Sequence, residues 1–258
     1  MMRRLDWTDF RSAEFDDCDP HKTIAILPTA AVEQHGQHLP VGTDTCIAEG
    51  MLDAVRGLVP DDLDVRILPV QAVGKSNEHL YAKGTLTLTA TTALAVWTEI
   101  GLSVAHAGIR KIVIVNSHGG NADINSILAR ELRVQANMLA VKCSWGSFGL
   151  PEGLVGAQEW DMGLHGGDVE TSLMLAIAPN MVNMAHAPNA LPSDWGTPVP
   201  PVGTVSYGWI ASDLHDAGVA GDATQATADK GRAIIAHQAR GFIDMLRKVE
   251  EMAVPSRS

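Results

Sequence analysis

Cysteine is scarce in this chain. Cys18, Cys46 and Cys143 make an odd number with no C-x-x-C spacing, so no disulfide framework is indicated and a reducing cytoplasm is the expected compartment. Cys143 lies in the apolar stretch 140–145 and reads as a small buried residue rather than a nucleophile. Positive charge is short as well: 19 Lys and Arg against 30 Asp and Glu leave a formal net charge of -11. With no clustered Lys/Arg stripe, that balance excludes the electrostatic footprint of a nucleic-acid binder. No stretch approaches the roughly 18 uninterrupted apolar residues of a membrane span, and the opening Met1-Met2-Arg3-Arg4-Leu5-Asp6 turns acidic before an apolar leader develops. No membrane partner and no export are expected. Low-complexity linkers and internal repeats are missing too, so 258 residues at 46% hydrophobic read as one α/β domain over 1–258.

What is present alternates short apolar runs with longer helical ones. Residues 23–28 read as a strand, 44–58 as a helix capped by Thr43 or Asp44, and 65–70 as a second strand. A helix is predicted over 89–107, a β-branched strand over 111–116, a helix over 121–137 and a strand over 138–144. Such alternation implies a mainly parallel sheet between helical layers, with ligands beyond the carboxyl ends of the strands. The polar clusters fall there: the 33–44 loop, the 74–79 loop and residues 117–121. The segment 187–208 is Pro/Gly-rich and too long for a plain connection, as lids and subunit contacts often are. A last helix is expected over 223–250.

Three clusters carry the chemistry. Glu33-Gln34-His35-Gly36, followed by His38, Leu39-Pro40 and Asp44, packs carboxylates and imidazoles into one loop behind the first strand. Hydrolytic divalent metals want such oxygen and nitrogen ligands. Residues two apart on an extended segment share a side, so Glu33 and His35 can face one site while Gln34 faces away. Asp44 can bridge two metals with its two oxygens, or can be an ordinary helix cap. The second cluster, Asn116-Ser117-His118-Gly119-Gly120-Asn121, puts a histidine at a strand end beside two glycines that let substrate approach closely. In the third, His165-Gly166-Gly167-Asp168-Val169-Glu170-Thr171-Ser172, the carboxylates open an apolar helix and His165 is placed as a proton shuttle.

Together these motifs resemble the creatininase (creatinine amidohydrolase) family, in order and spacing, from about residue 22 to residue 245. The resemblance implies a single-domain α/β sandwich, often assembled as a homohexamer, with two divalent ions of zinc, manganese or iron. It implies Glu33 and His118 as ligands of one metal, His35 of the other, Asp44 as the bridge and His165 as the general acid/base. Ser76 matches a substrate-side serine, and Trp145 and Trp160 match tryptophans near the pocket; His79 and Gly119 are further substrate-contact candidates. Creatininase proper carries a tyrosine and a metal-binding glutamate after the strand-end histidine, where this chain has Gly119 and Gly120. Glu170 or Asp168 must then complete the second metal site, with Glu170 preferred because the Glu-Thr-Ser triplet is the family's more regular feature.

The reaction so implied is attack of a metal-bridging hydroxide on a carbonyl of a small molecule: a cyclic amide, a lactone or cyclic ketone, or a formamide; the His-Gly-Gly-Asn form of the second motif also resembles subfamilies acting on modified peptides. Two other readings stand beside it. One is a binding or assembly protein of the same fold without catalysis, which the intact ligand set disfavours. The other is a serine hydrolase using Ser76 or Ser117 with His118, for which no G-x-S-x-G elbow exists.

Overall fold

The computed structural model describes residues 3–256. Met1 and Met2, part of the expectation about the leader, lie outside the described residues. Four parallel strands form one sheet in the order β2-β1-β3-β4: β1 (Ile24–Thr29), β2 (Val65–Ile67), β3 (Lys111–Asn116) and β4 (Leu139–Ser144). The two central strands are buried at every position, which is why both read as unbroken apolar runs rather than alternating ones. Register pairs Thr29 with Asn116 and Asn116 with Ser144, so the central strands end at one level and deliver their loops to one rim.

Helices cover both faces. On one side α1 (Thr43–Leu58), α5 (Asp168–Ile177) and α7 (Ala228–Glu251) pack Met51, Leu52, Met174, Ile234 and Phe242 against the Ile24, Ile26 and Val113 side of the sheet. On the other, α2 (Ala90–His106) and α3 (Ala122–Ala136) bring Trp97, Val104, Leu128 and Leu132 onto Leu27, Ile112 and Ile114. The sandwich is α/β with a wholly parallel sheet, as expected.

Several boundaries differ from the expectation, each for a local reason. Strand β2 stops at Ile67, because Pro69 has no N–H to offer the ladder; pairing returns only at Gln71, whose N–H donates to the Pro28 carbonyl. The residue preceding α1 is Gly42, with no side-chain cap, so Thr43 and Asp44 lie inside the first turn. Asp44 is thereby released from capping. Helix α7 starts at Ala228 with Thr227 accepting from the Lys230 N–H, while residues 223–225 form a separate 3₁₀ turn capped by Asp222. Helix α3 ends on left-handed Asn137. The shorter helices are α4 (Ala157–Met162) and α6 (Ala211–Leu214).

Candidate metal centre

The loop after β1, the loop after β2, the end of β3, the start of α1 and the turn before α5 converge at the carboxyl edge of the sheet. Glu33 lies at the middle, with its side chain fully buried. Its Oε1 is 3.2 Å from His118 Nδ1, 3.3 Å from His79 Nε2 and 3.6 Å from His165 Nδ1. Asp44 turns one oxygen to each of two imidazoles: Oδ1 is 3.2 Å from His35 Nε2 and Oδ2 is 3.3 Å from His118 Nδ1. Glu170 Oε2 is 3.7 Å from His35 Nε2. Three carboxylates and four imidazoles thus share a space a few ångströms wide.

The orientation of each ring is set from behind. His35 donates from Nδ1 to its neighbour's carbonyl, Glu33 O, at 3.1 Å, which leaves Nε2 bare toward Asp44 and Glu170. His118 donates from Nε2 to the Lys75 carbonyl at 3.0 Å, which turns Nδ1 inward. His165 donates from Nε2 to the Gln34 carbonyl at 2.7 Å, so its Nδ1 lone pair faces Glu33. Gly166, at φ 64°, reverses the chain after His165 in a conformation that suits glycine, and its N–H donates to Glu170 Oε2 at 2.6 Å.

The decisive feature is what the inward atoms lack. Both Glu33 carboxylate oxygens, His35 Nε2 and Asp44 Oδ2 are buried without a hydrogen-bond partner. Buried polar atoms left unpaired are costly and uncommon, and a cluster of four from three ligand-type side chains is what a cation would satisfy. Glu33, His35 and Asp44 lie close enough to hold one ion; so do His35, His165 and Glu170, and so do Glu33, Glu78 and His118. The donor set, oxygen with imidazole nitrogen, suits zinc, manganese or iron.

Electrostatics tell the same story. Burial works to raise the Glu33 carboxyl, but the surrounding His118, His165 and His35 outweigh it and hold it well below the usual carboxylate range. Burial works to depress His35, yet Asp44, Glu170 and Glu33 push it up to about 10, and Glu33, Glu78 and Asp44 likewise lift His118. The pocket demands positive charge and takes it from protons where a metal would supply it. His165 goes the other way, driven well below its ordinary value by burial and by neighbouring His35. Burial lowers His79 as well, so these two imidazoles favour the neutral form. Burial lifts Glu170 to about 7.

The creatinine amidohydrolase (creatininase) family model matches residues 8–246. The chain belongs to the creatininase family. A mycofactocin precursor peptide peptidase of Mycolicibacterium smegmatis is 30% identical over 239 residues, covering 87% of this chain and 85% of that protein. A creatinine amidohydrolase of Pseudomonas putida is 28% identical over 268 residues, covering 95% of each. Among solved structures, a mutant creatininase of Zn-Zn type superposes with a TM-score of 0.79 at 23% identity, over 97% of this chain and all of that one. A structure described as creatininase Mn superposes at 0.73 and 22% identity. As a member of this family the chain is a metal-dependent hydrolase of the amidohydrolase kind.

Within that frame, the sequence-expected residues are distributed unevenly. Glu33, His35, Asp44, His118, His165 and Glu170 meet in the cluster. Asp168 does not: it accepts from Ser172 Oγ at 3.0 Å and pairs with Lys230, tying the start of α5 to α7. Ser76 is wholly buried behind His118, its Oγ 3.3 Å from Nε2. Ser76 has no exposed surface, and Ser117 Oγ accepts from Trp145 Nε1. Cys143, pushed up to about 12 by burial, is inert. His79 and Gly119 line the cavity above the cluster, while Trp145 and Trp160 wall a second one. His38, the other imidazole of the opening loop, donates to the Gly166 carbonyl at 3.0 Å and has a structural part.

Two residues lie where sequence reasoning did not put them. Gln34, expected to face away, is buried beside the site, its amide donating to His79 Nδ1 at 3.0 Å and to the Gly218 carbonyl. Glu78 was read only as part of a rim loop. Its Oε1 is 3.5 Å from His118 Nε2 and its Oε2 pairs with Lys75 Nζ at 2.7 Å. A glutamate beside a histidine in a polar loop is an ordinary solvated pattern, and only the fold brings it against residue 118.

Proposed function

We propose that this chain hydrolyses a carbonyl-containing small molecule of the amide type at a two-metal centre. Glu33, Asp44 and His118 would hold one ion, and His35, Asp44 and Glu170 the other. The unpartnered inward atoms of Glu33, His35 and Asp44 carry this reading. When bound, ions of zinc, manganese or iron would supply Lewis acidity and lower the pKa of water at that position.

The remaining roles belong to side chains of this chain. Asp44 spans both ligand groups, because its two oxygens face different imidazoles. His165 is neutral and oriented by the Gln34 carbonyl, with Nδ1 turned inward; it takes a proton from water and passes it to the leaving nitrogen. His79, held by Gln34 and facing Glu33, orients the substrate from the cavity side. Glu33, His35, Asp44 and His118 are buried and Glu170 is partly so, which limits bulk water and strengthens these interactions.

The intact set of ligand groups supports catalysis over a purely binding role. We further place the enzyme in the cytoplasm as a single domain that assembles into a homohexamer; no helix among the described residues is long and apolar enough to cross a membrane. Chelator-treated protein should lose hydrolysis of amide substrates and regain it with zinc or manganese, at two equivalents of metal per chain. Undiminished activity in metal-free protein would sink the proposal.

A further inference from the structure

Helix α5 opens without a cap of its own. Gly167, the residue before it, has no side chain to accept from the first turn, and the carboxylate that does so belongs to α4: Glu159 Oε1 accepts from the Asp168 N–H at 2.7 Å. The other oxygen, Oε2, accepts from the Asp222 N–H at 2.8 Å. One buried side chain therefore joins two backbone segments. Three glycines make room for it. A Cβ on Gly163, Gly167 or Gly221 would collide with the Glu159 carboxylate, and Gly221, at φ 147°, has a backbone that only glycine adopts easily. Burial raises the Glu159 carboxyl, and the two N–H groups oppose that rise.

The two joined segments are those that frame His165 and Glu170. His165 pairs with Ala220 in both directions: its N–H donates to the Ala220 carbonyl at 3.1 Å, and its carbonyl accepts from the Ala220 N–H at 2.8 Å. Glu170 lies in the first turn of α5, tied back to the turn after His165 by the Gly166 N–H. Glu33, Asp44 and His118 come from elsewhere, on the loop after β1, the first turn of α1 and the end of β3. Nothing in their placement passes through Glu159.

We infer that Glu159 is a positioning residue for one half of the centre: it sets His165 and the Glu170 side of one ion, and leaves the ion of Glu33 and His118 alone. The inference rests on the two-ion reading above and adds to it an unequal dependence of the two ions on one remote carboxylate. A carboxylate that only stabilised the fold would weaken both ions together or neither.

Zinc titration of metal-free protein, read by calorimetry, is the test. Glu159→Ala should bind the first zinc as the wild type does and the second about 10–100-fold more weakly, the scale on which residues behind a metal ligand act. At saturating zinc its kcat should fall about 100-fold with KM little changed, as when a catalytic group is displaced by about an ångström. The substrate is whichever of creatinine, an N-formyl amine and an N-acetyl dipeptide the wild type hydrolyses fastest. Gly167→Ala, at a φ of -86° that alanine can adopt, pushes the carboxylate out without deleting it and should reproduce the split. Where Glu159→Ala fails to fold, Glu159→Gln, which keeps one acceptor, reads it instead. Val104→Ala in the core on the opposite face of the sheet should lower the melting temperature and leave both zinc affinities and kcat unchanged. Equal weakening of both ions in the Glu159 and Gly167 variants, no weakening of either, or the same split in Val104→Ala would overturn the positioning role and leave the two-ion centre standing. Wild-type protein that binds fewer than two zinc ions would overturn both.

Discussion

The carboxylate of Glu78 fills the space into which a side chain at Gly120 would project. A Cβ there would also come within 2.6 Å of the Lys75 carbonyl and 2.5 Å of His118 Nε2. The glycine is therefore a condition for the Glu78–His118 contact. Residues behind a ligating histidine typically change metal affinity about 10–100-fold when removed. Gly120→Ala and Glu78→Ala should each weaken metal binding on that scale, read by metal titration. Unchanged affinity in both would show that nothing behind His118 matters to its ligation.

Asp44→Ala removes the oxygens that face both His35 and His118. Metal content should drop at both positions, and turnover should fall by about a thousandfold or more, as expected when several kcal/mol of charge stabilisation vanish. Elemental analysis finding two ions per chain in the variant would refute the bridge.

Asp168 offers the contrasting case. Its partners are Lys230 and Ser172 rather than the cluster, so Asp168→Ala should keep its metal and lower stability by about 3 kcal/mol, the scale for stranding one half of a buried ion pair. Denaturant unfolding with parallel metal analysis reads both. Loss of metal with intact stability would move Asp168 into the site.

His165→Ala should leave metal bound and slow turnover by about 10²–10⁴-fold, the usual span for general acid–base groups. Single-turnover kinetics beside metal analysis make the check. Wild-type turnover in this variant would remove its assigned role.

Metal affinity should rise with pH. In the metal-free protein His35 is lifted from 6.5 to about 10 and Glu170 from 4.5 to about 7. Both bind protons more tightly folded than unfolded, so a metal must displace those protons, and each one displaced is worth about tenfold in affinity per pH unit. The same shifts stabilise the metal-free fold. That stability is fully present below the unfolded values, and it is lost as pH rises through 7 for Glu170 and through 10 for His35. Isothermal titration from pH 6 to pH 9 tests the first statement, and melting of metal-free protein the second. Flat profiles in both would contradict the charge balance of the cluster.

The alternation of apolar runs was enough to read the layered α/β fold, because strands buried on both faces carry no polar interruptions. The members of the buried cluster read as easily where they sit in one loop, as Glu33 and His35 do, or at a strand end, as His118 does. Choosing between Asp168 and Glu170 was beyond the sequence. They are two residues apart on one helix, and a helix turns by about 200° in that interval, so one faces α7 and the other faces His35. Glu78 was hidden for a related reason: its contact with His118 spans 40 residues and depends on the missing side chain at Gly120.

By itself, then, the sequence determined which side chains this protein owns and which strand ends carry them, since hydrophobic period and loop composition are local properties. The tertiary structure alone decided which oxygen meets which imidazole and which carboxylate is spent on packing. It also decided where empty space remains beside Gly119. Those depend on distances between segments far apart in the chain, and distance is what a linear pattern does not contain.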